Sequence, residues 1–154
     1  MVKSKVQKER IVIYTDGGSR GNPGDAAIGV VIYSPDGAEY KRYGEAIGVA
    51  TNNEAEYRAV VFGLQKTKAL LGGAKAKLLH VEMRMDSELV ARQLRGEYKI
   101  EEERLFPLFI KVWNLKIDFA AVGFVHVPRE QNKEADKMVN QALDKQQQDL
   151  FSQK

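Results

Sequence analysis

Ile11-Val12-Ile13-Tyr14-Thr15-Asp16-Gly17-Gly18-Ser19-Arg20-Gly21-Asn22-Pro23-Gly24 is the stretch from which the fold can be read. Its first part is a short apolar, β-branched run, the pattern of a buried strand. Its second part, residues 16–24, is rich in glycine and reads as a loop. Asp16 stands at the junction, after the strand or as its last residue. An acid there either caps the next element or belongs to a ligand site at the sheet edge, where open α/β sheets bind. What the rest of the chain brings to that edge decides between them.

Working outward, residues 26–33 read as a second strand. Ser34-Pro35-Asp36-Gly37 is a strong turn signal, and residues 38–45 return as a third strand. The period then changes. Ala55, Ala59, Val60, Phe62, Gly63, Leu64, Leu70 and Leu71 predict a helix over 51–71, closed by Gly72-Gly73. Residues 78–85 form a fourth strand and 87–94 a short helix. A helix follows over 101–115, in which Pro107 marks an early turn or a kink. Residues 117–127 are a fifth strand, closed by Pro128, and a last helix runs from 130 to about 147. The order β-β-β-α-β-α-α-β-α predicts an α/β fold. It is a five-stranded mixed sheet, three antiparallel strands and then two parallel ones, flanked by helices on both faces. The expected division is a basic N-terminal arm (1–10), one domain (11–147) and a polar C-terminal tail (148–154).

The chain has 154 residues, a length that suits one domain with a real core. It carries 24 basic and 21 acidic residues, a formal net charge of +3. Lys3, Lys5, Lys8 and Arg10 against Glu9 put all of that excess into residues 1–10, and the remainder sums to zero. The pI near 9.0 is therefore poor evidence about partners. With no cysteine, a disulfide framework, a thiolate zinc site and a cysteine nucleophile are excluded. No apolar run reaches the roughly 18–20 residues of a membrane span. The first ten residues lack the apolar segment of a secretory signal. A soluble, cytoplasmic chain without membrane contact is expected.

The acids carry the chemistry. Asp86 follows Val81-Glu82-Met83-Arg84-Met85 as Asp16 follows its own strand. If those strands are neighbours, the two carboxylates lie side by side. In the first helix, Thr51-Asn52-Asn53-Glu54 matches a capping box, which gives Glu54 a structural task. Glu56 lies two residues on, about 200° round the helix, on the side of Ala59, Val60 and Gly63 that packs on the sheet. Asp136 opens the last helix on the stripe of Val139, Asn140 and Leu143. Taken singly, each of these acids also fits a cap, a solvated helix position or a dipole contact. Converging, four carboxylates need compensating charge. An all-oxygen ligand set suits Mg²⁺ or Mn²⁺, and two such ions can clamp both oxygens of a phosphodiester displacement.

Four stretches together resemble type 1 ribonuclease H. They are Tyr14-Thr15-Asp16-Gly17-Gly18-Ser19 with Gly21-Asn22-Pro23-Gly24, Thr51-Asn52-Asn53-Glu54-Ala55-Glu56, Met85-Asp86-Ser87, and Asn132-Lys133-Glu134-Ala135-Asp136. The resemblance implies a ribonuclease H-like fold and an endonuclease that cuts the RNA strand of RNA–DNA hybrids. It implies two Mg²⁺ ions, with Mn²⁺ as a substitute, and 3′-hydroxyl and 5′-phosphate ends. Asp16, Glu56, Asp86 and Asp136 would be both catalytic and metal-binding. Asp16 would bridge the ions, with Glu56 and Asp86 on the leaving-group side and Asp136 on the water side. Hybrid reading would fall to the backbone of Gly17, Gly18 and Ser19 and the side chains of Asn22, Asn52 and Asn53, with Thr51 a further DNA-phosphate contact.

The chain also departs from the family's pattern. Glu88 stands where many members place a substrate-reading Gln, and an ionised Glu cannot donate. The basic, tryptophan-containing protrusion of some bacterial members is missing; residues 95–103 form a short, acidic connector, in which Tyr98 or Lys99 could reach DNA. His126 reads as a strand residue, which leaves Arg129 or Glu130 near the departing phosphate. His80 also falls in a strand. The expected partner is an RNA–DNA hybrid and the expected state a monomer. The alternatives are a binding module of the same fold without turnover, and a nuclease for double-stranded RNA. Without the four acids, the rest of residues 11–154 carries +4.

Overall fold

A computed structural model describes residues 10–152 of the chain. Residues 1–9, most of the expected basic arm, lie outside the described residues, as do 153 and 154. The strands are β1 (Arg10–Gly21), β2 (Gly24–Tyr33), β3 (Glu39–Ala50), β4 (His80–Met85) and β5 (Ala121–His126). The helices are α1 (Asn52–Leu71), α2 (Gly73–Ala76), α3 (Glu88–Leu94), α4 (Phe106–Lys116) and α5 (Lys133–Ser152). The sheet order is β3-β2-β1-β4-β5, with β1–β2 and β2–β3 antiparallel and β1–β4 and β4–β5 parallel. This is the expected mixed five-stranded sheet. Among the described residues no helix is long and apolar enough to cross a membrane.

Strand alternation divides the core. Ile11, Ile13, Val30 and Ile32 join Tyr57, Val60 and Leu64 of α1 in the main cluster. On the opposite face Ala27 meets Val139 and Leu143 of α5. Burying one such Leu or Val is worth about 1.5–3 kcal/mol. Small residues let α5 lie close: a Cβ on Gly29 would stand 2.1 Å from the Ala135 oxygen, and one on Gly44 2.6 Å from that of Met138.

The structure corrects several boundaries. Residues 16–21 are strand, not loop: β1 stays paired with β2 from Val12↔Tyr33 to Gly21↔Gly24, and Asn22-Pro23, joined by a cis peptide bond, makes the hairpin turn. The glycines are misleading locally because their reason is tertiary. A Cβ on Gly17 would lie 2.2 Å from the Ala55 carbonyl carbon, so Gly17 lets α1 rest on the strand. Pro107 occupies the first turn of α4, where its missing N–H costs nothing, and makes no kink. Residues 103–105 before it form a 3-10 turn. Residues 117–119 continue α4 as a turn, their amides bonded to the carbonyls of Asn114, Leu115 and Lys116, so β5 starts only at Ala121. Arg129–Gln131 is a 3-10 turn and α5 begins at Lys133. α5 continues to Ser152, through most of the expected polar tail. Arg10, placed in the arm by its charge, is the first residue of β1 and pairs with His80.

Candidate active site

The parallel pairing of β1 with β4 ends at Thr15↔Met85, so Asp16 and Asp86 are the next residue on each strand. Asp16 is still paired with Gly29 of β2; it is the end of the β4 ladder, not of the strand, that leaves it at an edge. Thr51 caps α1: its hydroxyl accepts from Glu54 N (3.1 Å), and the Glu54 carboxylate accepts from Thr51 N (3.0 Å). Glu54 is thus used by the cap, while Glu56 turns toward the sheet beside Gly17. Carboxylate oxygens of Asp16, Glu56 and Asp86 all lie within 4.8 Å of one another.

Asp16 and Glu56 are buried, and this dominates their chemistry. Burial, then the charges of Asp86 and Asp136, push the Asp16 carboxyl up to about 7. Burial and the charges of Asp16 and Asp86 hold Glu56 well above the usual carboxylate range, against the pull of the Gly17 N–H. Glu56 Oε2 is buried with no hydrogen-bond partner. Clustered oxygens, repelling charges and an orphaned acceptor together fit a divalent cation. Asp136, in the first turn of α5, stands outside this close triad. It lines the same cavity, of about 450 Å³, and is close enough for its charge to help raise the Asp16 carboxyl.

The expected substrate residues separate. Gly17, Gly18, Ser19, Asn52 and Asn53 line the cavity with the acids. Asn22 and Thr51 do not; Asn22 instead holds the hairpin to α1. Its Oδ1 accepts from Asn52 N (3.0 Å), and Asn52 Oδ1 accepts from Ser19 N (2.9 Å) and Ser19 Oγ (3.1 Å). Both amide oxygens are committed inside the protein, so each Asn keeps its NH₂ group for a ligand. Asn53 is the reverse: its Nδ2 donates to Glu102 Oε1 (2.9 Å). Arg129 lines the cavity, whereas Glu130 lines a separate groove with Tyr14 and Arg84. Glu88 pairs with Arg92 at 3.7 Å. Tyr98 lies under Arg92, whose guanidinium carbon is 5.2 Å from the ring centroid. His126 closes β5 opposite Met85, as a strand residue.

Sequence reasoning missed Asn132. It is 1% exposed. Its Nδ2 donates to Thr15 O (2.9 Å) and Asp86 Oδ2 (3.2 Å), while its backbone carbonyl accepts from Asp136 N (3.1 Å) in the first turn of α5. The side chain thus ties the residue at the start of α5 to β1 and to an acid of the triad. It opens the fourth of the matching stretches, but an Asn directly before a helix reads as an ordinary cap.

Comparisons with known proteins agree with this geometry. The family model described as reverse transcriptase-like matches residues 14–142. A bifunctional protein of Mycobacterium tuberculosis is 40% identical over 139 residues, 88% of this chain and 36% of that protein. The chain therefore spans about a third of the length of such relatives. Ribonuclease HI of Halobacterium salinarum is 39% identical over 135 residues, covering 88% of this chain and 65% of that one. LC11-RNase H1, isolated from compost, superposes with a TM-score of 0.82 at 46% identity, over 88% of this chain and 96% of that one. The same enzyme has been solved in complex with an RNA/DNA hybrid. The four matching stretches, the sheet order and these relatives place the chain in the ribonuclease H family, in its compact type 1 form.

Proposed function

We propose that this chain is an endonuclease that hydrolyses the RNA strand of RNA–DNA hybrids and leaves 3′-hydroxyl and 5′-phosphate ends. The observation that carries the reading is the triad of Asp16, Glu56 and Asp86, with its buried, unpartnered Glu56 oxygen. Asp16, Glu56, Asp86 and Asp136 would hold two Mg²⁺ ions, or Mn²⁺ in their place. When bound, such ions activate the attacking water and stabilise the leaving oxygen of the phosphodiester. The protein's own residues do the rest. The Asn132 side chain ties the start of α5 to Thr15 and Asp86, which would hold Asp86 and Asp136 in position for the ions. Asn22 and Asn52 offer donors to acceptor atoms in the shallow minor groove of the hybrid. The backbone of Gly17, Gly18 and Ser19 lines the cavity of the acids and would meet the RNA strand there. Of Arg129 and Glu130, only Arg129 lines the cavity of the acids, and it is the one that would meet the departing phosphate. One chain carries all four acids, so the catalytic unit is a single chain.

Incubation with labelled hybrid, double-stranded RNA and duplex DNA, each with Mg²⁺, Mn²⁺ or EDTA, tests the reading. Metal-dependent cleavage confined to the RNA of the hybrid is expected, and Asp16→Asn should abolish it with the fold intact. Hybrid binding without cleavage would mean a binding module, and preferred cutting of double-stranded RNA would change the substrate.

A further inference from the structure

α4 is apolar on two opposite sides, yet only one of them is covered. Val112 is fully buried, and Leu108, Phe109 and Leu115 pack against the core. The outer side carries Phe106 (43% exposed), Ile110 (56%), Trp113 (43%) and Ile117 (75%). Steps of four, three and four residues set these side chains in one line, the seam spacing of paired helices. A surface helix ordinarily presents charged and polar residues there. Charge lies off the seam and toward the ends. Glu101, Glu102 and Glu103 precede the helix, with Arg104 after them paired to Glu54; Lys116 closes it, with Asp118 beyond paired to Lys68, and Lys111 stands mid-helix away from the seam.

We propose that this face is a self-association surface, on which α4 of a second copy of the chain lies antiparallel. The charge pattern selects both partner and direction. Antiparallel pairing brings Lys116 at the end of each helix near Glu103 before the other and opposes the two helix dipoles, whereas parallel pairing sets Lys116 against Lys116 and Glu103 against Glu103. The same patch serves both copies, as a two-fold dimer requires. Two lysines beside three acids do not make the continuous cationic track of a nucleic-acid groove, and Lys116 Nζ already lies 3.9 Å over the Trp113 ring. The four side chains expose roughly 400–500 Å² of apolar surface, near the upper end for a monomer. Two such faces bury roughly 800–1,000 Å², below the about 1,200 Å² of standard specific interfaces, so the dimer is weak, with a Kd in the micromolar range. None of the four residues lines the cavity of the acids, so pairing leaves it open.

Sedimentation equilibrium of the full chain between about 1 and about 500 μM tests this, a range that brackets a micromolar Kd. The average mass should rise toward that of a dimer. Trp113 is the only tryptophan, so its emission should shift to the blue over the same range. Ile110→Glu and Ile117→Glu should each hold the chain monomeric. Lys116→Glu should weaken pairing about tenfold, by roughly 1.4 kcal/mol, and adding Glu103→Lys should restore it. Cleavage per chain by Ile110→Glu should equal wild type at dilution, so loss of pairing and loss of the nuclease reading are separate results. A wild type monomeric throughout, pairing indifferent to both Ile variants, or Trp113 emission that answers to lipid vesicles or duplex DNA but not to concentration would overturn the proposal. If a Glu variant unfolds by circular dichroism, the wild-type series and the paired charge exchange still decide.

Discussion

Glu54 and Glu56 are the same residue type two positions apart, and their surroundings give them opposite consequences. Glu54 accepts the Thr51 amide and faces Arg104 at 3.5 Å, so its carboxyl sits below the usual range. Glu56 is buried among like charges and sits above it. Glu54→Gln should cost about 0.5–1 kcal/mol of stability, the low end for a lost cap interaction, and leave kcat nearly unchanged. Glu56→Gln should remove a repelling buried charge, raise the melting temperature measured in EDTA, and lower kcat by at least about 100-fold if it is a metal ligand. Thermal melts and single-turnover cleavage on both variants check this, and the reverse assignment of stability and rate would overturn it. Asn132 acts through others. Asn132→Ala leaves Asp86 without its neutral donor and loosens the start of α5. The Mg²⁺ concentration for half-maximal rate should rise about 10–100-fold, the usual scale for an outer partner of a metal ligand. An unchanged Mg²⁺ dependence would make Asn132 a purely structural residue.

At the scale of elements, glycines set the distance between strand and helix. Gly17 and Gly18 are neighbours with different surroundings: a Cβ on Gly17 meets the backbone of Ala55 at 2.2 Å, while one on Gly18 meets only a Val139 methyl at 3.7 Å. Gly17→Ala should therefore push α1, and Glu56 with it, off β1. A stability loss of about 1–3 kcal/mol and a rate loss near 100-fold are expected. Gly18→Ala should be nearly neutral in a melt, and equal effects of the two substitutions would refute the close-approach account. These glycines also show where sequence reading stops. The succession of elements, the capping box and the helix faces of Glu56 and Asp136 were legible, because periodicity and capping are local signals, whereas the adjacency of β1 and β4 is a long-range pairing that the sequence left open. The continuation of β1 to Gly21 was not, since a glycine run is a turn signal unless one knows that a helix lies against it. Nor was the inward turn of Asn132, whose partners Thr15 and Asp86 are 117 and 46 residues away in the chain. The late starts of β5 and α5 have the same origin, in 3-10 and turn hydrogen bonds that carry no apolar period.

At the scale of the whole molecule, charge couples stability to metal. Lys3, Lys5 and Lys8 against Glu9 give residues 1–9 a charge of +2, so a chain starting at Arg10 should bind hybrid more weakly, with a shallower salt dependence, and still cleave it. Loss of all cleavage with the fold retained would refute this. A stronger dependence follows from the buried acids. The folded chain keeps the Asp16 proton up to about pH 7, whereas an unfolded chain releases it near 3.8. Between those values the native state binds more protons than the unfolded one, so without metal stability falls as pH rises. For Asp16 alone the loss is on the order of 4 kcal/mol by pH 8, and Glu56 adds to it in the same direction. Acids held low by partners, such as Glu54, Glu39 and Glu97, act oppositely but titrate below about pH 4.5, outside this window. In EDTA the protein should thus melt higher at pH 5.5 than at pH 8. Asp16→Asn should raise the pH 8 value and flatten the profile. Mg²⁺ should stabilise wild type more at pH 8 than at pH 5.5, because binding needs the ionised carboxylates. A metal-free melting temperature that climbs from pH 5.5 to 8 would mean that Asp16 and Glu56 are not the charged, crowded pair their geometry makes them.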